Sequence, residues 1–155
     1  MTAPDPAVVT TLSYGGDSAN KWATYYFRKH FNVASVAAVT GLVARFKADD
    51  GAALYLNGVK VYNSTNLPES PENATFTTVD NPEPYNWQEF TIAPNRLVNG
   101  DNVLAVEVHQ AGLPSSDVYF DMSLATAGNA TTNQPGGGPV YVPPVVVSNW
   151  TAYND

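Results

Sequence analysis

Ala48-Asp49-Asp50-Gly51-Ala52-Ala53-Leu54-Tyr55-Leu56-Asn57-Gly58 decides the fold. A carboxylate pair and a glycine close one strand, and a short apolar run opens the next. Asn57-Gly58 then supplies the dipeptide that a type I′ hairpin turn requires, because both central residues must take positive φ. Val59-Lys60-Val61-Tyr62 carries the chain back, so Gly51 to Val61 reads as a hairpin. Leu54 and Leu56 point to one face and Tyr55 to the other, the period of a half-buried strand.

The same period extends outward. Upstream, Leu42, Ala44, Phe46 and Ala48 share one face of Gly41 to Ala48, opposite Val43, Arg45 and Lys47. In Ala23 to Val33, Tyr25, Phe27, Phe31 and Val33 oppose Tyr26, Arg28, His30 and Asn32, with Lys29 an exception on the apolar face. Downstream, Trp87 to Ile92 is a strand. In Asn102 to His109, Leu104, Val106 and Val108 oppose Val103, Ala105 and Glu107. In Asp117 to Ala125, Val118, Phe120, Met122 and Leu124 point inward, and Tyr119, Asp121 and Ser123 outward. Val8 to Leu12 reads as a first short strand, and Ala74 to Thr78 as a short strand inside the long proline-bearing connection from Asn63 to Asn86. No amphipathic helix of ordinary length occurs. Short alternating strands joined by turn-rich loops predict an all-β sandwich.

Composition supports one domain with a core. The chain has 155 residues, 44% hydrophobic and 12% aromatic, which excludes a disordered polymer. Charged residues are only 14%, so Asn, Thr, Ser, Gly and Tyr must make much of the surface. A net charge of -7 argues against nucleic acid and anionic membranes, whose phosphates need a basic footprint. The absence of cysteine excludes thiolate zinc sites and thiol chemistry. No apolar run approaches the length of a membrane span. The Asn-x-Thr/Ser triplets at Asn63, Asn73, Asn129 and Asn149 match the N-glycosylation acceptor pattern. After Ala125 the composition shifts. Residues 1–125 read as the β-sandwich, 126–139 as a Gly/Pro-rich linker centred on Gly136 to Gly138, and 140–155 as an extended tail. Val145 to Val147 and Trp150 suit docking as an extra strand, which Pro143-Pro144 confines to an edge.

Four blocks carry a resemblance: Thr24 to Lys29, Asp49 to Val61, Gly100 to Gln110 and Ser116 to Asp121. In this order they resemble an accessory module of secreted and surface proteins of bacterial type, in the galactose-binding-domain-like superfamily. The resemblance covers roughly Tyr14 to Ala125. It implies a jelly-roll β-sandwich related to carbohydrate-binding modules. A narrower likeness links Asp49-Asp50-Gly51 and Leu54 to Gly58 to the calcium-and-sugar motif of the anthrax-protective-antigen-type lectin domain of yeast adhesins. That likeness implies a Ca²⁺-holding role for Asp49 and Asp50.

The candidate chemistry follows. Adjacent carboxylates at Asp49 and Asp50 repel, and a hard cation relieves that; the plainer reading is an Asp capping its own turn. The superfamily resemblance implies a structural Ca²⁺ joining an early loop to the last strand, which adds Asp17, Asp117 and Asp121 to the metal candidates. Sugars offer apolar C–H faces ringed by hydroxyls, so aromatic rings beside polar donors make a platform. Trp22 and Tyr85, in polar loops, are the ligand candidates of that kind; Tyr26 and Tyr119 are further rings, while Trp87 and Tyr25 read as core or rim packing. Arg28, His30 and His109 complete the ligand-binding candidates, against a plainer reading as surface hydrogen-bonding pairs. No nucleophile-elbow pattern and no recognisable acid/base pair of carboxylates is present, so no catalytic residue is assigned. The expectation is a non-catalytic carbohydrate-binding-like module of a secreted or cell-surface protein, with Ca²⁺ structural or bridging and other domains of a larger chain as neighbours. The alternative is a structural or protein-interaction sandwich without sugar binding.

Overall fold

The computed structural model describes residues 12–78, 86–115, 117–127 and, for the backbone alone, 151–153. Among the described residues there are eight strands: β1 Thr24–Val33, β2 Gly41–Asp49, β3 Gly51–Leu56, β4 Val59–Asn63, β5 Gln88–Ile92, β6 Gly100–His109, β7 Tyr119–Ala127 and β8 Thr151–Tyr153. Two 3₁₀ turns, Val36–Ala38 and Pro94–Arg96, join strands. The strands form two antiparallel sheets, one ordered β4-β3-β6-β1-β8 and the other β5-β2-β7. The chain passes repeatedly between the sheets, and the molecule is a β-sandwich. Among the described residues no helix is long and apolar enough to cross a membrane.

The inner faces are those the alternation assigns. Leu42, Ala44, Phe46 and Ala48 of β2, Leu54 and Leu56 of β3, Leu104, Val106 and Val108 of β6, and Met122 and Leu124 of β7 are buried in one cluster. Tyr25, Phe27, Phe31 and Val33 supply the β1 side. Each large apolar side chain so buried contributes about 1.5–3 kcal/mol. Phe46 meets Tyr62 and Phe90 edge-on, while those two rings stack at 4.7 Å, which joins the sheets across β2, β4 and β5.

The hairpin turn is as expected. Asn57 has φ 50° and Gly58 φ 79°. Asn57 also reaches sideways: its Oδ1 accepts from the Val103 N–H (2.8 Å) and its Nδ2 donates to Asn102 Oδ1 (2.9 Å). One residue thus shapes the turn and pins β3 to the start of β6.

Asp50 is the corner where the chain leaves the smaller sheet and enters the larger. Its N–H donates to the His109 carbonyl (3.2 Å), and its Oδ2 accepts from the Ala111 N–H (2.6 Å). Its carbonyl accepts from Asn66 Nδ2 (3.3 Å). The long connection after β4 then folds back onto the outer face of the larger sheet. Ser64 bonds Ala52 in both directions at 2.9 Å. Thr77 N–H donates to the Gln110 carbonyl (3.0 Å), and Thr78 N–H to that of Asn66 (2.9 Å). Gly51 makes this approach possible: a Cβ there would lie 2.8 Å from both Asn66 Oδ1 and Thr77 Cγ2.

Several expectations are corrected or fall elsewhere. Ala74 to Thr78 is not a strand, because its backbone groups are used to fasten the loop to β6 and to Asn66. The last strand of the core starts at Tyr119, not Asp117, and runs on to Ala127, into the stretch read as linker. Tyr119 is buried although alternation points it outward. Trp87 precedes β5 and is 43% exposed, so of the two readings it takes the rim and not the core. Val8 to Thr11, Tyr85 and the tail segment Val145 to Trp150 lie outside the described residues. The tail's backbone at β8 pairs antiparallel with β1, Thr151 opposite Arg28 and Tyr153 opposite Tyr26.

Candidate functional site

A hollow of about 210 Å³ opens where the segment before β1 meets the folded-back loop. Lys21, Trp22, Ala23, Thr24, Tyr26, Asn73 and Ala74 line it. Trp22 is only partly buried and packs edge-on against Tyr25, 6.2 Å between ring centres, so the core fixes one side of the indole. Tyr26 is on the outward face of β1, and its hydroxyl lies 3.5 Å from Asn73 Oδ1. Lys21 Nζ donates to the Ser115 carbonyl, which ties its head to the loop after β6. The lining therefore offers two aromatic rings, a side-chain amide and an ammonium, and it contains no carboxylate.

The wall carrying Asn73 is held by His109. Thr24 Oγ1 spends its one proton on the Asn73 carbonyl (2.6 Å). It can then only accept from His109 Nδ1, 3.0 Å away. The Thr75 carbonyl, 2.8 Å from the same nitrogen, is also an acceptor. Both contacts place a proton on Nδ1. Nε2 consequently faces Glu107 Oε2 at 3.7 Å, and it has no hydrogen-bond partner. Glu107 Oε1 takes the Tyr55 hydroxyl at 2.5 Å. Burial pushes the Glu107 carboxyl up, but the His109 and Tyr55 contacts and the Lys60 charge outweigh it, leaving the group below the usual carboxylate range. The Tyr55 phenol is pushed strongly up, first by burial and then by the carboxylate it donates to.

The ligand candidates from the sequence separate. Trp22 is at the hollow. Arg28 is exposed on the same outward face of β1 as Tyr26, two positions along. His30, further along that face, is exposed and bonded to Asp101 at 2.8 Å. His109 is fully buried and is a fastening of the loop, not a surface ligand. Asp49 and Asp50 are also buried, and Asp50 is occupied as the corner described above.

The metal candidates lie apart from one another, except for the adjacent Asp49 and Asp50. Asp17 is exposed and caps its own turn, accepting from Asn20 Nδ2 (2.8 Å) and the Ala19 N–H (2.9 Å); these bonds, Asn20 first, lower its pKa. Asp117 is exposed, and Asp121 lies opposite Lys47 across the β2–β7 pair. Among the described residues no three His, Cys, Asp or Glu side chains gather where an ion could sit.

Sequence reasoning missed Lys21, Thr24 and Asn73 as site residues. Asn73 and Thr24 meet across 49 positions through a loop without periodicity, so nothing local in the sequence signals the contact. Sequence reasoning also missed the outer face of the smaller sheet. There Trp87 carries Lys47 Nζ 4.6 Å and Arg45 Cζ 5.1 Å from its ring centre, and Lys47 also lies 5.7 Å from the Tyr119 ring.

No family model and no curated protein matches the chain. Solved structures do. The α-L-rhamnosidase of Streptomyces avermitilis, complexed with L-rhamnose, matches over 90% of this chain at TM-score 0.57 and 19% identity. The α-L-rhamnosidase of Dictyoglomus thermophilum matches over 84% at TM-score 0.54 and 10% identity. This chain spans only 11% and 13% of those enzymes' lengths, so the likeness is to a small β-domain within each, and it is a likeness of fold.

Proposed function

We propose that this chain is a non-catalytic glycan-binding module of a secreted or cell-surface multidomain protein. The observation that carries the reading is the hollow beside Trp22 and Tyr26. A sugar ring lays a C–H face on an aromatic ring and directs hydroxyls outward. Asn73, in the hollow's lining, offers its side-chain amide to them. The fold likeness to a small part of two glycosidases supports an accessory place in a carbohydrate-active protein. Glycoside hydrolysis generally needs two carboxylates flanking the scissile bond, and the hollow's lining supplies none. No step is assigned to Ca²⁺, since the described carboxylates do not gather around an ion position.

A glycan array with the intact chain tests the reading, followed by titration calorimetry on the best ligand. Trp22→Ala is expected to weaken binding about tenfold or more, since an aromatic contact with a desolvated ligand contributes on the order of 1–2 kcal/mol. Binding unaffected by Trp22→Ala removes the hollow from the proposal. A silent array favours the second reading, a structural or docking sandwich. The pairing of β8 along the edge of β1 supports that alternative, because a sheet edge accepts an extended segment by backbone hydrogen bonds alone.

A further inference from the structure

We infer that the hollow takes an anionic glycan, and that Arg28 receives the acid group. The inference rests on the glycan reading and names the substrate class of the same site.

The described cations of this chain are mostly committed within it. Arg45 pairs with Glu89 at 3.4 Å and covers Trp87. Lys60 pairs with Glu69 at 3.0 Å. Lys47 is buried against the Trp87 and Tyr119 rings. Lys21 is bonded to the Ser115 carbonyl. Arg28 is exposed and makes no ion pair or hydrogen bond with the side chain of a described residue. Arg96 shares that property but lies beside the Asn57 turn, where its carbonyl accepts from Asn57 Nδ2. Arg28 alone of the two shares a strand face with the hollow.

Its position is specific. Two residues along a strand span about 6.6 Å, so the Arg28 backbone lies roughly that far from Tyr26 on the same outward face. The neighbouring position on β6 is Ala105, a small residue in register with Arg28 on one side and with Tyr55 on the other. Small Ala105 leaves a low position on the outward face between those of Arg28 and Tyr55. A sugar stacked at Tyr26 can therefore place a substituent, or the next sugar, over Ala105 within reach of Arg28. A guanidinium forms two parallel N–H bonds to a carboxylate or a sulfate, and it prefers such groups to hydroxyls. The chain's net charge of -7 repels polyanions at long range, and the Glu107 carboxylate, in register with Tyr26 on the same face, repels them locally, so a preference for an acidic glycan requires the Arg28 guanidinium to outweigh both.

The experiment is titration calorimetry with a uronic-acid oligosaccharide, its carboxyl-reduced neutral counterpart and a sulfated counterpart. Each is titrated into the wild type, Arg28→Gln and Arg28→Lys. The wild type is expected to prefer at least one anionic form over the neutral form by about tenfold, the scale of one charge-assisted contact. Which anionic form wins identifies the acid group. Arg28→Gln should abolish the preference while leaving neutral affinity in place, and Arg28→Lys should retain only part of it. Equal affinity for all forms, or a preference that survives Arg28→Gln, overturns the inference and leaves the glycan reading standing. Failure of every form to bind, neutral included, refutes the glycan reading and the inference with it. Unchanged melting of the variants confirms that the comparison is made between folded proteins.

Discussion

Replacing Gly51 with alanine tests how the opening motif and the folded-back loop depend on each other. The added Cβ would stand 2.8 Å from Asn66 Oδ1, 2.8 Å from Thr77 Cγ2 and 3.3 Å from Leu67 Cγ. Carbon atoms pack best at about 3.5–4.0 Å, so the Thr77 contact is too short by roughly 1 Å. Turning Asn66 aside costs its bond to the Asp50 carbonyl, and Thr77 is anchored through its own N–H to Gln110. The loop has to lift. Overpacking of this kind costs about 1–3 kcal/mol, and the lower entropy of an unfolded chain with alanine returns about 0.4–1. The net loss is on the order of 1–2 kcal/mol, a fall in Tm of roughly 2–8 °C for a domain of this size. Amide exchange gives the location. Thr77 and Thr78 should lose protection in Gly51→Ala, while Val106 and Val108 in the middle of β6 keep theirs. An unchanged or raised Tm with Thr77 still protected would show that the loop does not rest on Gly51.

Other outcomes follow from the same geometry. Phe46→Ala removes a fully buried ring that touches Tyr62 and Phe90, and should cost about 3–5 kcal/mol in denaturant unfolding; a loss below 1 would mean that the sheets are not joined there. Asp50→Ala leaves the Ala111 N–H without its carboxylate and should cost about 1–3 kcal/mol, equally in EDTA and in millimolar Ca²⁺; a loss seen only with Ca²⁺ would restore the ion to this corner. Glu107 has a folded-state pKa below its ordinary 4.5. Its contribution is therefore fully present above that value and is lost as pH falls through the folded pKa. Glu107→Gln should flatten the acid limb of the stability curve, and an unaltered limb would deny the carboxylate that role.

The sandwich was legible because its signals are local. Leu54, Leu56, Phe46 and Val106 follow a two-residue period, and Asn57-Gly58 has few conformations open to it. The candidate site was legible only in its rings. Trp22 could be picked out as an aromatic in a polar loop, and Arg28 by its place on an outward face. His109 looked the same by alternation, since outward normally means wet. It is dry because a loop with no pattern of its own lies over that end of the sheet. Tyr119 and Lys47 depart from alternation in the same way on the smaller sheet, where side chains on the outer face cover one another. Alternation reports the face of a residue; whether that face meets water depends on long-range packing.

That distinction changes what the carboxylate pair signifies. Asp49 and Asp50 looked chemical because two acids stood together, yet Asp50 directs its carboxylate to a backbone N–H and its own backbone to β6 and Asn66. The corner that it makes brings Gly51 under the loop, and the loop in turn presents Asn73 to Tyr26. His109, buried in that arrangement, is hydrogen-bonded through Nδ1 to Thr24 and Thr75 and faces Glu107 behind the wall. The motif thus acts on the candidate site through the position of a loop, with no contact of its own to a ligand. A chain could keep Asp50, Gly51, Asn57, Gly58 and His109 and change what it binds by altering Trp22, Tyr26, Arg28 and Asn73. Recognition of the motif accordingly identifies the scaffold, and the proposed glycan contacts rest on those four residues instead.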